Sequence, residues 1–109
     1  MSIQELNADN FDQAIESNDL LVIDFWAQWC GPCKVFSKIM ADAAKTYPDI
    51  AFASVDIENE KALAEEFAVR SIPFVMIIKN RAVVYAESGL LSADSLRELL
   101  DQAKALKTP

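Results

Sequence analysis

Both cysteines of the chain stand in one tetrapeptide, Cys30-Gly31-Pro32-Cys33, directly behind Trp29 at the end of an apolar run. Two intervening residues put both sulfurs on one side of a first helical turn. Cα atoms at that spacing lie roughly 5.5 Å apart, which suits a disulfide. The ring so closed is very short, and little loop entropy is at stake. A bond there staples almost nothing, so it reads as one made to be broken, in thiol–disulfide exchange. A pair of inert core thiols, or half of a metal site, are the plainer alternatives, but four-ligand zinc lacks two more ligands here unless two chains join.

The two thiols have different expected roles. Cys30 lies at a helix N-terminus, where free N–H groups and the helix dipole favour a thiolate, so it is the candidate nucleophile. Pro32 has no N–H and a fixed φ, and it starts the helix well. The Cys33 amide is left to point at the Cys30 sulfur. Gly31 lets another chain come close. Cys33, one turn into the helix and more buried, is the candidate resolving thiol. Cys30 would form a mixed disulfide with a substrate, and Cys33 would attack Cys30 to release the reduced substrate.

Asp24 interrupts the apolar run Val22-Ile23-Asp24-Phe25-Trp26. Burial of a carboxylate is costly and raises its pKa. Its side chain shares a strand face with Val22 and Trp26. That position suits a proton acceptor for Cys33 during resolution, directly or through a water. An aspartate at a solvated edge, or one serving a local hydrogen bond, is the plainer alternative. Trp26 reads as core, and Trp29, beside Cys30, as a contact residue. Glu58, Glu60, Glu65 and Glu66 read as a solvated acidic face.

The 109 residues suffice for one domain, 1–109, with one core. Histidine is absent, which removes His-based catalysis and His metal ligands. A net charge of −7 speaks against nucleic acid as a partner and fits solubility. The N-terminal Met1-Ser2-Ile3-Gln4-Glu5 has neither a basic nor an apolar leader region, and no apolar run approaches the roughly 20 residues that span a bilayer. The expectation is a cytoplasmic protein with no membrane association, in a compartment that keeps thiols reduced.

Positioning the dithiol requires a strand before it and a helix after it. Residues 20–27 are near-continuously apolar, as in a strand buried on both faces. Residues 33–47 carry Phe36, Ile39, Met40, Ala43 and Tyr47 at helical spacing and stop before Pro48. Further strands are expected at 3–6, 50–56, 74–79 and 82–88, the last two across a tight turn at Asn80-Arg81. Further helices are expected at 10–17, capped by Asp9, and at 59–67. A last helix is capped by Ser92, with Leu96, Leu99, Leu100, Ala103 and Leu106 on one face. The order β-α-β-α-β-α-β-β-α implies an α/β fold. Early strands pair in parallel through right-handed crossovers, and the late hairpin is antiparallel. The dithiol falls at the carboxyl end of its strand, where such sheets place their sites. Pro73 stands at the entrance of a strand, and sequence physics gives no reason for a cis bond there.

The run Trp29-Cys30-Gly31-Pro32-Cys33-Lys34, with Val22-Ile23-Asp24-Phe25-Trp26-Ala27 before it, resembles the thioredoxin family. The likeness continues through Val55-Asp56-Ile57, Val69-Arg70-Ser71-Ile72-Pro73 and Lys79-Asn80 to Gly89, and it covers essentially the whole chain. It implies the thioredoxin fold, a central mixed five-stranded sheet flanked by four helices, and a general protein-disulfide reductase working as a monomer. It implies a cis Pro73 facing the cysteines, with the Ile72 backbone free to pair with a substrate strand. Asp24 would lie beneath Cys33. Trp29, Gly31, Pro32, Ile57, Ile72, Pro73, Gly89 and Leu90 would form an apolar docking surface for disulfide-containing proteins. Electrons would come from NADPH through a thioredoxin reductase, with no bound cofactor and no metal.

The chain also departs from the family. Ser54 stands where a lysine often neighbours the buried aspartate, which changes the charge acting on Asp24. Phe74 replaces a common threonine and Ser71 a glycine, both beside the docking groove. Lys38 occupies the site of a helix-kinking proline, so a straighter helix is expected. Arg81 replaces a turn glycine, at a strain of order 1 kcal/mol if its φ is positive. An oxidase or isomerase on the same fold is disfavoured by Gly31-Pro32 and the missing leader. A redox-independent binding module would keep its function without the cysteines.

Overall fold

The computed structural model describes residues 3–107. Met1 and Ser2, part of the segment read for a leader, lie outside the described residues, as do residues 108 and 109. Along the chain run β1 (Ile3–Glu5), α1 (Phe11–Ser17), β2 (Leu20–Trp26), α2 (Gly31–Thr46), β3 (Ala51–Asp56), α3 (Lys61–Glu66), β4 (Phe74–Lys79), β5 (Ala82–Ser88) and α4 (Ala93–Ala105). The sheet order is β1-β3-β2-β4-β5. β1 and β2 both pair parallel to β3, while β4 pairs antiparallel to β2 and to β5. The expected mixed five-stranded sheet with four helices is what forms.

β2 is central and buried on both faces, which is why its sequence is continuously apolar rather than alternating. Leu20 and Val22 face a core with Phe36 and Met40 of α2 and Leu96 and Leu100 of α4. Leu21, Ile23 and Phe25 face the opposite core, with Phe11 of α1 and Leu63 of α3. The period of two therefore assigns each β2 residue to a helix pair. It places Asp24 on the side of α2, in line with Val22.

Two expectations need correction. The first helix is capped at Asn10 rather than Asp9, and its cap side chain bonds no helical amide. Instead the Asn7 carboxamide oxygen accepts the Asp9 and Asn10 amides and tightens the turn ahead of the helix. The apolar stripe of α4 ends at Ala103, since Leu106 follows the helix and is exposed. Its carbonyl, with those of Ala103 and Lys104, instead accepts the Lys79 ammonium.

The 16-residue α2 runs unbroken through Lys38, which pairs with Asp42 one turn on. The β4–β5 turn has positive φ at both Asn80 (49°) and Arg81 (70°), the backbone of a two-residue hairpin loop. Phe74 turns toward the α1 and α3 core, where its ring meets Phe25 edge-on at 5.6 Å. The bulk of this departure is thus partly absorbed by the core beside the groove.

Candidate active site

α2 begins at the dithiol. Cys30 is its N-cap in an extended conformation, and Pro32 occupies the first turn. The Cys33 amide donates to Cys30 Sγ at 3.2 Å, so the sulfur takes the place a capping oxygen usually holds. A sulfur so placed faces a backbone donor and the positive end of a long helix, and both favour the thiolate when the bond is reduced. In the structure the two cysteines are joined as a disulfide, with Cα atoms 5.3 Å apart. Both are buried, in a small cluster with Ala27 against which Trp26, Ile57 and Ile72 pack.

Opposite the disulfide, the Ile72–Pro73 peptide is cis. The Ile72 carbonyl oxygen lies 3.9 Å from Cys30 Sγ. Two bonds tie this loop to the end of β5: the Gly89 amide donates to the Pro73 carbonyl at 2.9 Å, and Ser88 Oγ donates to the Ser71 carbonyl at 3.1 Å. Gly89 has φ +125°, which a side chain would strain. Around the disulfide, Trp29 is 68% exposed and Leu90 48% exposed. Gly31 and Pro32 are also exposed, Ile57 and Ile72 half-buried, and Pro73 buried beneath them.

Behind the disulfide, Asp24 is the buried charged residue of the core, 3% exposed. It sits beside Ser54 of β3 and Val75 of β4 in the sheet register. Its Oδ1 has no hydrogen-bond partner. Burial pushes the carboxyl up from 3.8 to about 7, because ionisation there forfeits hydration. Asp24 and Cys33 line one cavity of about 610 Å³, with Ser54, Ser37, Lys34 and Gln28 among its other walls. The carboxyl is thus a weak acid near neutral pH that shares a cavity with the inner cysteine.

Sequence reasoning missed three features. Glu58, read as solvated, accepts a hydrogen bond from Trp29 Nε1 at 3.0 Å and pins the exposed indole. Ser37 joins the cavity wall, which its spacing of one helical turn from Cys33 signals in retrospect. Ser88 ties the cis-proline loop, and no sequence signal announces it. Among the described residues, no group of three or more Cys, Asp or Glu side chains has a metal-holding arrangement.

A buried, helix-capping disulfide near a buried carboxyl, flanked by a cis-proline loop, defines a protein of dithiol–disulfide exchange. A family model described as Thioredoxin matches residues 2–102. The chain is 42% identical over 105 residues to "Putative thioredoxin 2" of Streptomyces coelicolor, covering 96% of this chain and 78% of that protein. It is 34% identical over 102 residues to a thioredoxin of Buchnera aphidicola, covering 92% of this chain and 94% of that protein. A solved mutant thioredoxin from Halobacterium salinarum superposes with a TM-score of 0.90 at 27% identity, over 98% of this chain and 95% of that one. The oxidised thioredoxin of Plasmodium falciparum gives 0.83 at 29% identity, over 93% and 97%. The chain belongs to the thioredoxin family, and its activity is thiol–disulfide reduction through the Cys30–Cys33 pair.

Proposed function

We propose that the chain, acting as one domain over residues 1–109, is a general reductase of protein disulfides in which Cys30 attacks and Cys33 resolves. The observation that carries the division of labour is the Cys33 amide on Cys30 Sγ, which stabilises charge on the outer sulfur only. A substrate disulfide docks across Trp29, Gly31, Pro32, Ile57, Ile72, Gly89 and Leu90, with Pro73 holding the groove floor. The Ile72 backbone pairs with the extended substrate segment. Cys30 thiolate attacks one substrate sulfur, and the other leaves as a thiolate. Cys33 then gives its proton to Asp24 and attacks Cys30 Sγ, and the second substrate sulfur leaves. The raised Asp24 pKa supports this transfer, since it brings acceptor and thiol closer in basicity.

In this reading the oxidised protein is reduced again by a thioredoxin reductase that draws on NADPH, and the protein itself needs no bound cofactor. It works as a monomer in the cytoplasm. The placement of both cysteines at one site, with none in a structural bridge elsewhere, supports a reducing compartment. No helix among the described residues is long and apolar enough to cross a membrane.

The reduction potential of the Cys30–Cys33 pair tests the direction of flow. Reductants of this family lie near about −270 mV and strong dithiol oxidants near about −120 mV, a gap of about 7 kcal/mol for two electrons. A value near the first is expected, and one near the second would make the protein an oxidant or isomerase. Cys30→Ser should abolish turnover, while Cys33→Ser should accumulate mixed disulfides visible on non-reducing gels. Normal turnover by Cys33→Ser would remove its resolving role.

A further inference from the structure

The cavity of about 610 Å³ beside Asp24 and the docking face lie on different sides of the dithiol. Its walls include Ile3 of β1, Ser54 of β3 and Ser37 of α2. None of the docking residues Trp29, Ile72, Pro73 or Leu90 lines it. In the sheet, β3 and β1 lie on one side of β2, whereas the Pro73 loop and Gly89 belong to β4 and β5 on the other; Ile57, just past β3, is the docking residue on the cavity's side of β2, and it does not line the cavity. A substrate covering the dithiol from the β4 side therefore leaves the cavity open.

Asp24 Oδ1 is buried and unpartnered where it adjoins this space. A buried carboxyl oxygen needs a hydrogen-bond partner, and water supplies one wherever there is room and further polar support. At about 30 Å³ per molecule the cavity has room for several waters. Ser54 is the cross-strand neighbour of Asp24 and presents its hydroxyl on the same face. Ser37 stands one turn beyond Cys33 on α2. Each hydroxyl both donates and accepts, as a link in a water chain must.

We propose that Ser37 and Ser54 are positioning residues that hold a file of water in this cavity, through which Asp24 returns its proton to bulk solvent while a protein substrate still covers the docking face. The inference rests on Asp24 as the acceptor for Cys33. In resolution the Cys33 proton passes to the Asp24 carboxylate. The Cys33 sulfur bonds to Cys30 Sγ, the bond from Cys30 to substrate breaks, and its electron pair leaves on the substrate sulfur. Where Asp24 already holds a proton when the mixed disulfide forms, it must lose that proton before it can accept the one on Cys33, and after resolution it must lose the proton so gained. The file delivers it to water, and no further reactant is needed. Lys34 is the other charged side chain on the cavity wall, and Cys33 the other titratable group. β1 and β3 contribute Ile3 and Ser54 there, β4 sets Val75 beside Asp24, and α4 packs that face with Leu96 and Leu100, none of them charged.

The test compares the Ser37→Ala/Ser54→Val double variant with the unaltered protein in single-turnover resolution of the Cys30 mixed disulfide. Insulin serves as the substrate that covers the docking face and oxidised glutathione as one that does not. Valine suits a strand, and Ser54→Thr restores the hydroxyl. The double variant should resolve the insulin intermediate about tenfold more slowly, a fraction of what a full proton-transfer group supplies. The glutathione intermediate should slow by no more than about twofold, with the first attack by Cys30 unchanged and a larger solvent deuterium effect. The variant that keeps Ser37 and carries Ser54→Thr should behave as the unaltered protein. Equal slowing on both substrates without a change in isotope effect would mean a structural role and overturn the file, as would resolution at the original rate. If Asp24→Asn slows resolution while the serine variants do not, the file alone fails. If Asp24→Asn resolves normally, the acceptor role fails and the file with it.

Discussion

Replacing Asp24 by asparagine should stabilise the protein, by an amount that depends on pH in a stated way. The carboxyl is buried and its Oδ1 unpartnered, and its ordinary value of 3.8 rises to about 7. At about 1.36 kcal/mol per tenfold change in proton affinity, that gap amounts to about 4 kcal/mol. The sign follows from proton counting. Between 3.8 and about 7 the folded chain holds a proton at Asp24 that the unfolded chain has lost, so stability falls as pH rises through this window. Below 3.8 both states are protonated and the residue contributes nothing through its charge; above about 7 the full cost is present. Asparagine has nearly the same shape and never ionises. The stability difference between Asp24→Asn and the unaltered protein should therefore be close to zero near about pH 3.5 and reach about 4 kcal/mol at about pH 8.

Urea unfolding of the oxidised forms of both proteins, across that pH range, measures this difference. Every other carboxylate titrates alike in the two chains and cancels. Domains of this size are stable by only about 5–15 kcal/mol, so the effect is far outside error, and the melting temperature at about pH 8 should rise by at least about 10 °C. A difference that stays flat with pH would refute the raised pKa. An asparagine variant less stable at about pH 8 would show that the carboxylate has a compensating partner, contrary to its geometry here.

Two expectations concern parts of the fold remote from the dithiol. Lys79→Met removes an ammonium that donates to the Ala103 carbonyl at 2.6 Å and the Lys104 carbonyl at 2.9 Å, at the negative end of α4. It should cost about 2 kcal/mol in chemical denaturation, and an unchanged midpoint would show that water serves those carbonyls equally well. Arg81→Gly relieves a left-handed residue, worth about 1 kcal/mol, against a loss of about 0.5 kcal/mol to the greater freedom of glycine in the unfolded chain. A net gain of about 0.5 kcal/mol is expected with disulfide reduction unchanged, and a destabilised variant would mean that the arginine side chain contributes more than its backbone costs.

The fold was legible because its signals are local and periodic. β2 announced double-sided burial by an unbroken apolar run, and α2 announced its core face by Phe36, Met40 and Tyr47. Element ends were less legible. The Asp9 cap failed because Asn7 can fold its carboxamide back on the turn, and two capping residues so close in sequence are indistinguishable by type. Leu106 kept helical spacing, yet the helix stops before it, where Lys79 collects the last carbonyls from a strand far away in sequence. The dithiol was legible as chemistry, and Asp24 as a buried carboxyl, because each breaks a pattern. The cis Ile72–Pro73 bond was reached only through family resemblance, since a proline before a strand is equally ordinary in trans. Glu58, Ser37 and Ser88 became visible only when the chain closed, because each acts on a residue of another element or across a cavity.

The chain breaks local rules in several places, and the breaks are of two kinds. Ala68, Asn80 and Arg81 adopt positive φ outside glycine, but each closes a turn, and the turn accounts for it. Asp24 has no such account. Its Oδ1 accepts no hydrogen bond, its strand neighbours Ser54 and Val75 offer no countercharge, and an apolar residue there would extend the core that Val22 already joins. A structural aspartate would be expected to return some of its desolvation cost through a cap, a pair or a bond. What it meets instead is an open cavity whose wall it shares with Cys33 and the hydroxyls of Ser37 and Ser54. Strain explained by a turn stands in loops, whereas burial that no protein partner explains stands on a cavity wall shared with Cys33. That contrast, rather than the presence of a carboxylate as such, is the physical reason we propose Asp24 for proton transfer.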